Sequence, residues 1–352
     1  MKSLKVKNLS VPFSNIDPRL GKDAVINNIS FSVEAGKIFG VVGPTGSGKS
    51  ILLRTLAGVI NADNGEILKD GENITLTPPS QRNMAMVFQD YVLYPHMNAK
   101  SNILFRLFSK KDPAINKQAR LDEIATMLGI NEEKLLNRMP RNISGGEKQR
   151  VAIGKAIASL PEILLLDEPF SNIEENKRYE LRHNLRKLIR ENNIAAVYVS
   201  HNQVEIAEIA DTMAVMHQGR FEQTGTFINL YSDPKRYFVS LFIGEKTTNF
   251  IRSEDVASLT GNKIRYKLTI RPDECGLEPV ENSIKIEGEV ALIEKFIPDK
   301  KQVAFIDWKG ELFGVELPID YEIEKWQRVA MYIPLDKSKF FDESGDRIYN
   351  LW

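Results

Sequence analysis

Cysteine is nearly absent: Cys275 stands alone in a chain of 352 residues, which excludes an intrachain disulfide framework and suits a reducing compartment. Long apolar runs are missing as well. No stretch of about 18 apolar residues offers a membrane span, and Met1-Lys2-Ser3-Leu4-Lys5-Val6-Lys7 has no apolar core of a secretory leader. The expectation is a chain soluble by itself, with any membrane role coming through a partner. Net charge is also lacking, since 47 Lys and Arg balance 47 Asp and Glu, so the whole chain gives no electrostatic argument for nucleic acid or an anionic bilayer. No convincing internal repeat or low-complexity tract is found. The length suits two domains with large cores.

What is present begins with Gly43-Pro44-Thr45-Gly46-Ser47-Gly48-Lys49-Ser50, which fits G-x-x-x-x-G-K-[ST]. It follows a short apolar strand pattern, Ile38 to Val42, and precedes a helical one, Ile51 to Ala57. In that context the glycines let successive backbone N–H groups turn inward as an anion nest at a helix start, where the dipole also favours negative charge. Lys49 is the candidate for the β- and γ-phosphates and Ser50 for Mg²⁺. A second apolar strand, Ile163 to Leu166, ends in Asp167 and Glu168. At the carboxyl edge of a parallel sheet both acids face a nucleotide, Asp167 suited to hold Mg²⁺ with Ser50 and Glu168 to act as general base on water.

Organisation follows from the patterns between these motifs. Residues 1 to 42 read as strands, including the alternation Ile29 to Val33, and Glu66-Ile67-Leu68 opens another strand. Residues 90 to 160 are mostly helical in pattern, with Leu121, Ile124, Ala125 and Leu128 on one face. Strands return at 163 to 166 and 194 to 199 beside helices, which implies β-α-β construction with a parallel sheet. Composition changes after about Gly244. Short strands at 263 to 270, 283 to 296, 302 to 308, 311 to 317 and 328 to 333 then predict a small antiparallel β-barrel. The expected division is 1–243 for an α/β nucleotide-binding domain, with a helical subdomain at about 90–160, and 244–352 for the barrel.

Ile143-Ser144-Gly145-Gly146-Glu147, followed by Lys148-Gln149-Arg150, lies between the phosphate loop and the acidic strand end and opens an apparent helix, Val151 to Ala158. It resembles the signature motif of ABC ATPases. The resemblance implies a head-to-tail dimer in which Ser144, Gly145, Gly146 and Glu147 close on ATP held by the other copy's loop. It also implies roles for Gln89 as the Q-loop residue contacting Mg²⁺ and water, for His201 at the switch position, and for Ser171-Asn172-Ile173-Glu174 as the D-loop. Phe13 lies where an aromatic usually stacks on adenine, ahead of an apparent inserted loop at 14–23. The chain departs from the family pattern at Ile143, Glu147, Glu174 and Asn202, and none of these removes a phosphate or metal ligand.

Tyr94 to Ile103 resembles the importer-type segment that receives a coupling helix from a membrane subunit. The C-terminal barrel, with Ile270-Arg271-Pro272-Asp273 at its first strand, resembles the OB-like regulatory domain of sugar-importer ATPase subunits. The implied protein is a peripheral, cytoplasmic-side ATPase that works with Mg²⁺, permease subunits and, indirectly, a solute-binding protein. Subunits for polyamines, iron or inorganic anions share this architecture. A soluble ABC ATPase acting on DNA or ribosomes is the competing class. The C-terminal part from Lys246 carries 16 Lys and Arg against 20 Asp and Glu, which disfavours a barrel tracking a phosphate backbone.

Overall fold

The computed structural model describes residues 3–17, 19, 23–109, 116–130, 133–244, 248–260 and 266–349. The chain divides into two compact units, Met1–Thr226 and Phe227–Trp352. In the first, the strands are β1 (Ser3–Pro12), β2 (Ala24–Glu34), β3 (Ile38–Val42), β4 (Asn64–Lys69), β5 (Glu72–Asn73), β6 (Met84–Val87), β7 (Ile163–Asp167), β8 (Ala195–Ser200), β9 (Thr212–His217) and β10 (Arg220–Gly225). Its helices are α1 (Lys49–Leu56), α2 (Ala99–Ser109), α3 (Lys117–Met127), α4 (Glu133–Leu136), α5 (Gly145–Ile157), α6 (Glu175–Glu191) and α7 (Gln203–Ile209).

The apolar runs β3, β7 and β8 are buried at every residue, as strands covered on both faces must be. They lie in a six-stranded sheet of order β10-β9-β3-β8-β7-β6, parallel except for the edge strand β10. Register brings their carboxyl ends together. Val42 sits opposite Ser200 and Asp167 opposite Val199, so the segments after β3, β7 and β8 leave the sheet side by side. An antiparallel sheet of order β2-β1-β4-β5 shares one apolar core with it, and the rings of Phe31 and Phe39 stack 4.5 Å apart across the two sheets.

Helices α2 to α5 fill the expected helical region, and Leu121, Ile124, Ala125 and Leu128 are all buried. Helix α5 begins at Gly145, earlier than the apolar pattern from Val151 suggests, because Ser144 and Glu147 form a reciprocal capping box that brings both glycines into the first turn. Of the apparent insertion at 14–23, residues 18 and 20–22 lie outside the described residues. Among the described residues no helix is long and apolar enough to cross a membrane.

The second unit opens with α8 (Phe227–Ser232) and α9 (Tyr237–Phe242), then β11 (Asn249–Ile251), α10 (Ser253–Thr260), β12 (Lys267–Ile270), β13 (Ser283–Phe296), β14 (Lys301–Trp308), β15 (Glu311–Pro318), β16 (Arg328–Pro334), β17 (Lys339–Phe341) and β18 (Arg347–Ile348). Two four-stranded antiparallel sheets, β11-β12-β17-β18 and β15-β14-β13-β16, wrap one apolar cluster as a half-open barrel. Residues 263–265 of the expected first strand lie outside the described residues. The division falls at 226/227, ahead of the compositional change near 244. The tie is local: the Tyr237 N–H donates to the Gly345 carbonyl at 2.8 Å, and the Ser240 and Thr269 hydroxyls are 2.5 Å apart.

Candidate functional site

The phosphate loop connects β3 to α1. A Cβ on Gly43 would stand 2.1 Å from the Met216 carbonyl oxygen, so only glycine lets the chain leave the sheet there. Gly48 caps α1 at φ 105°, a left-handed conformation, and no side chain caps the helix. The first amides of α1 therefore keep their donor capacity for a ligand. The Lys49 ammonium is buried and donates to the carbonyls of Gly43 (2.8 Å) and Pro44 (2.9 Å), folding across its own loop. Burial pushes its pKa down, opposed by the charges of Glu168 and Asp167.

Strand β7 delivers Asp167, which is only 3% exposed and accepts a hydrogen bond from the Ser50 hydroxyl at 3.1 Å. Burial raises its pKa, the Ser50 hydrogen bond opposes the rise, and neighbouring Glu168 adds to it. A carboxylate held at a desolvation cost beside a hydroxyl is a hard-oxygen pair suited to Mg²⁺, which uses one or two carboxylates together with phosphate oxygens and water.

Glu168 follows with φ 47°, and its N–H donates to the Val199 carbonyl at 3.0 Å. This turn directs its side chain toward the end of β8, where His201 Nδ1 lies 2.8 Å from Glu168 Oε1. A carboxylate only accepts, so Nδ1 carries the proton and Nε2 faces the other way. Phe13, Thr45, Gly46, Gly48, Lys49, Ser50, Gln89, Glu168 and His201 line one cleft of about 540 Å³. Phe13 and Gln89, the two least anchored by local pattern, are both partly exposed on it.

Ser144, Gly145, Gly146 and Glu147 are not part of that cleft's lining. The Glu147 carboxylate turns back on its own helix and accepts from the Ser144 N–H at 2.6 Å, which lowers its pKa. The Ser144 oxygen accepts from the Glu147 N–H at 3.3 Å, which closes the capping box at the start of α5.

Gln149, passed over in the motif reading, ties this helix to the acidic strand end. Its amide donates to the Glu168 carbonyl at 2.9 Å and accepts from the Asn172 N–H at 3.0 Å. The signal was there: Gln149 shares a helical face with the buried Ile153 and Ala156, and an amide on an apolar face is retained where it has partners. The segment 171–174 is also held by Arg178, which donates to the carbonyls of Ile173 (2.6 Å) and Ser171 (3.2 Å).

With this geometry in view, the likeness to known proteins is informative. Residues 26–171 match the ABC transporter family. The chain is 42% identical over 306 residues to the uncharacterized ABC transporter ATP-binding protein y4oS of Sinorhizobium fredii, covering 87% of this chain and 80% of that protein. It is 32% identical over 366 residues to the sn-glycerol-3-phosphate import ATP-binding protein UgpC of Vibrio cholerae, covering 98% and 94%. With the xylose/arabinose import ATP-binding protein XacJ of Haloferax volcanii it shares 32% over 374 residues, covering 97% and 96%. Among solved structures, the dimeric post-hydrolysis state of the ATP-binding cassette MJ0796 bound to ADP and Pi superposes with a TM-score of 0.57 at 25% identity, covering 63% of this chain and 98% of that one. With relatives 32% or more identical over most of both chains, the chain belongs to the ABC transporter family as an ATP-binding protein.

Proposed function

We propose that this chain is the ATP-hydrolysing subunit of an importer and that its site works as a composite between two copies. The observation that carries the reading is the Glu168–His201 hydrogen bond in the cleft that Lys49 and Ser50 also line, with Ser50 donating to the buried Asp167 behind it. The loop amides and Lys49 bind the triphosphate, with Lys49 exchanging its two loop carbonyls for phosphate oxygens. Ser50 and Asp167 hold Mg²⁺, with Gln89 on the same cleft, and the ion when bound neutralises charge on the phosphates. Glu168 accepts the proton of the attacking water through its second oxygen while His201 fixes the first. The Nε2 edge of His201 faces the γ-phosphate, and Phe13 covers the base.

The second half of the site comes from the partner copy's Ser144, Gly145 and Gly146, whose hydroxyl and helix-start amides approach the γ-phosphate. Closure and release are passed on through the segment after Gln89 to permease subunits at the cytoplasmic face of the membrane. The unit Met1–Thr226 serves as the ATPase part and Phe227–Trp352 as the regulatory part. The import names of the relatives support uptake, and a sugar or a polyol phosphate is the solute class they favour.

Two substitutions test the composite site. Ser144→Arg places a bulky cation where the γ-phosphate must approach, and Lys49→Ala removes the loop cation. Each alone should be inactive. In a heterodimer both defects fall in one composite site and the other is whole, so mixing should restore about a quarter of wild-type turnover if half the dimers are mixed and each works at half rate. No recovery on mixing, or normal turnover by Ser144→Arg alone, refutes the composite site. For the solute, uptake of labelled sn-glycerol-3-phosphate, xylose and arabinose should differ between cells with and without this chain. If none of the three differs, the solute class is wrong while the ATPase reading stands.

A further inference from the structure

We propose that Glu205 is a positioning residue for hydrolysis, holding His201 against Glu168 from beneath, an inference that rests on the catalytic reading of that pair. The imidazole of His201 is 60% exposed, so little packing holds it, and its place depends on the backbone at the end of β8 and on the Glu168 hydrogen bond. The backbone is fixed by an unusual anchor. Glu205, on the first turn of α7, is 7% exposed and accepts two short hydrogen bonds, from the Tyr198 hydroxyl to Oε1 and from the Ser200 hydroxyl to Oε2, both 2.6 Å. Tyr198 and Ser200 alternate on β8 and therefore project to the same side of the sheet, where one carboxylate can span both.

The Ser200 oxygen also accepts from the Asn202 N–H at 3.0 Å, and Asn202 Oδ1 caps α7 at the N–H groups of Val204 (3.0 Å) and Glu205 (3.1 Å). Both chain neighbours of His201 are thereby locked, and the lock closes on Glu205. Among the described residues Glu205 has no ion-pair partner; the nearby Arg182 is paired with Glu208 at 2.5 Å. A buried carboxylate satisfied by hydroxyls alone is a costly way to pack a short helix, whereas an apolar side chain would fill the volume at no such cost. What an apolar side chain cannot do is orient Ser200 and Tyr198 at once.

The test is Glu205→Gln in the full chain. An amide keeps one acceptor oxygen and puts an NH2 in place of the other, so one hydroxyl must reverse to accept from it and its own proton loses its acceptor, while volume is kept. The turnover number should fall about tenfold, a displacement of the His201 backbone well under 1 Å being enough, with KM for ATP changed less than about twofold. Glu205→Asp should recover part of the loss. On a His201→Ala background the same substitution should change the residual turnover less than about twofold, because the group it positions is gone. The imidazole signals of His201, assigned by their loss in His201→Ala, should shift or broaden in Glu205→Gln. Ser200→Ala removes the lock from the other side, should act in the same direction, and serves if Glu205→Gln folds poorly.

Turnover of Glu205→Gln within about twofold of wild type, a loss carried by KM, or the same fold loss on the His201→Ala background overturns the proposal. If His201→Ala turns over ATP normally, the catalytic reading of His201 fails instead. The imidazole signals then decide the positioning by themselves, and unchanged signals in both Glu205→Gln and Ser200→Ala refute it.

Discussion

Glu168→Gln isolates basicity from shape. The backbone of Glu168 is held independently of its side chain, by its N–H to Val199 and by Gln149 and Ser171 donating to its carbonyl at 2.9 and 3.1 Å. Among the described residues the side chain's one hydrogen-bonded neighbour is His201 Nδ1, and an amide oxygen can still accept from it. Fold, loop and cleft should therefore survive the substitution. What goes is the carboxylate that takes the proton from water. General-base catalysis contributes about 10²–10⁴-fold, equivalent to about 2.7–5.5 kcal/mol of barrier, and the turnover number should drop by that factor. Removing a negative charge from the rim of a triphosphate site should leave ATP affinity equal or tighter. Phosphate release measures the first expectation, calorimetry the second, and light scattering with ATP should show dimers accumulating because closure proceeds and hydrolysis does not. A mutant turning over within about fivefold of wild type would refute the assignment of Glu168 as base.

Two further substitutions probe the supports of the site. Asp167→Asn removes a carboxylate whose pKa burial raises above the ordinary 3.8, so the folded chain binds its proton more tightly than the unfolded chain does. The associated stability is complete below pH about 3.8 and is lost as pH rises through the folded pKa. The nucleotide-free mutant should therefore melt higher than wild type by about 2–4 °C at pH 8, with the gain shrinking toward pH 4, and a pH-independent difference in differential scanning would contradict this. Arg82→Met removes a side chain that is 2% exposed and donates to the carbonyls of Thr55, Leu56, Thr75 and Thr77 at 2.7 to 3.0 Å, tying the end of α1 to the turn before β6. Leaving those carbonyls unpaired should cost about 3–5 kcal/mol after the relief of burying a charge, or about 10 °C in melting temperature, and a drop under about 2 °C would show that the ties are replaceable.

Much of the fold was legible because its elements are written as local patterns. The buried strands β3 and β7 are continuous apolar runs, and the barrel strands β13 to β16 begin and end within a residue of their alternating stretches. The loop motif likewise encodes its own turn, since Gly43 and Gly48 sit where a side chain or an ordinary φ will not do. Less legible was the start of α5, where a cap formed by Ser144 and Glu147 overrode the low helix propensity of two glycines.

By itself, the sequence determined the chemistry on offer: a phosphate loop, a strand ending in two carboxylates, a histidine closing another strand, and their order along the chain. Tertiary structure decided who meets whom. That β3 lies between β8 and β9, with β7 beyond β8, depends on long-range pairing that no local period records, and only this order sets Asp167, Glu168 and His201 beside the loop. Side-chain direction was decided there too. Gln149 finds partners 19 and 23 residues away in Glu168 and Asn172, and the Ser50 hydroxyl meets Asp167 from 117 residues away. A rotamer is chosen by the donors and acceptors that surround it, and those arrive from distant parts of the chain only when the sheet has formed.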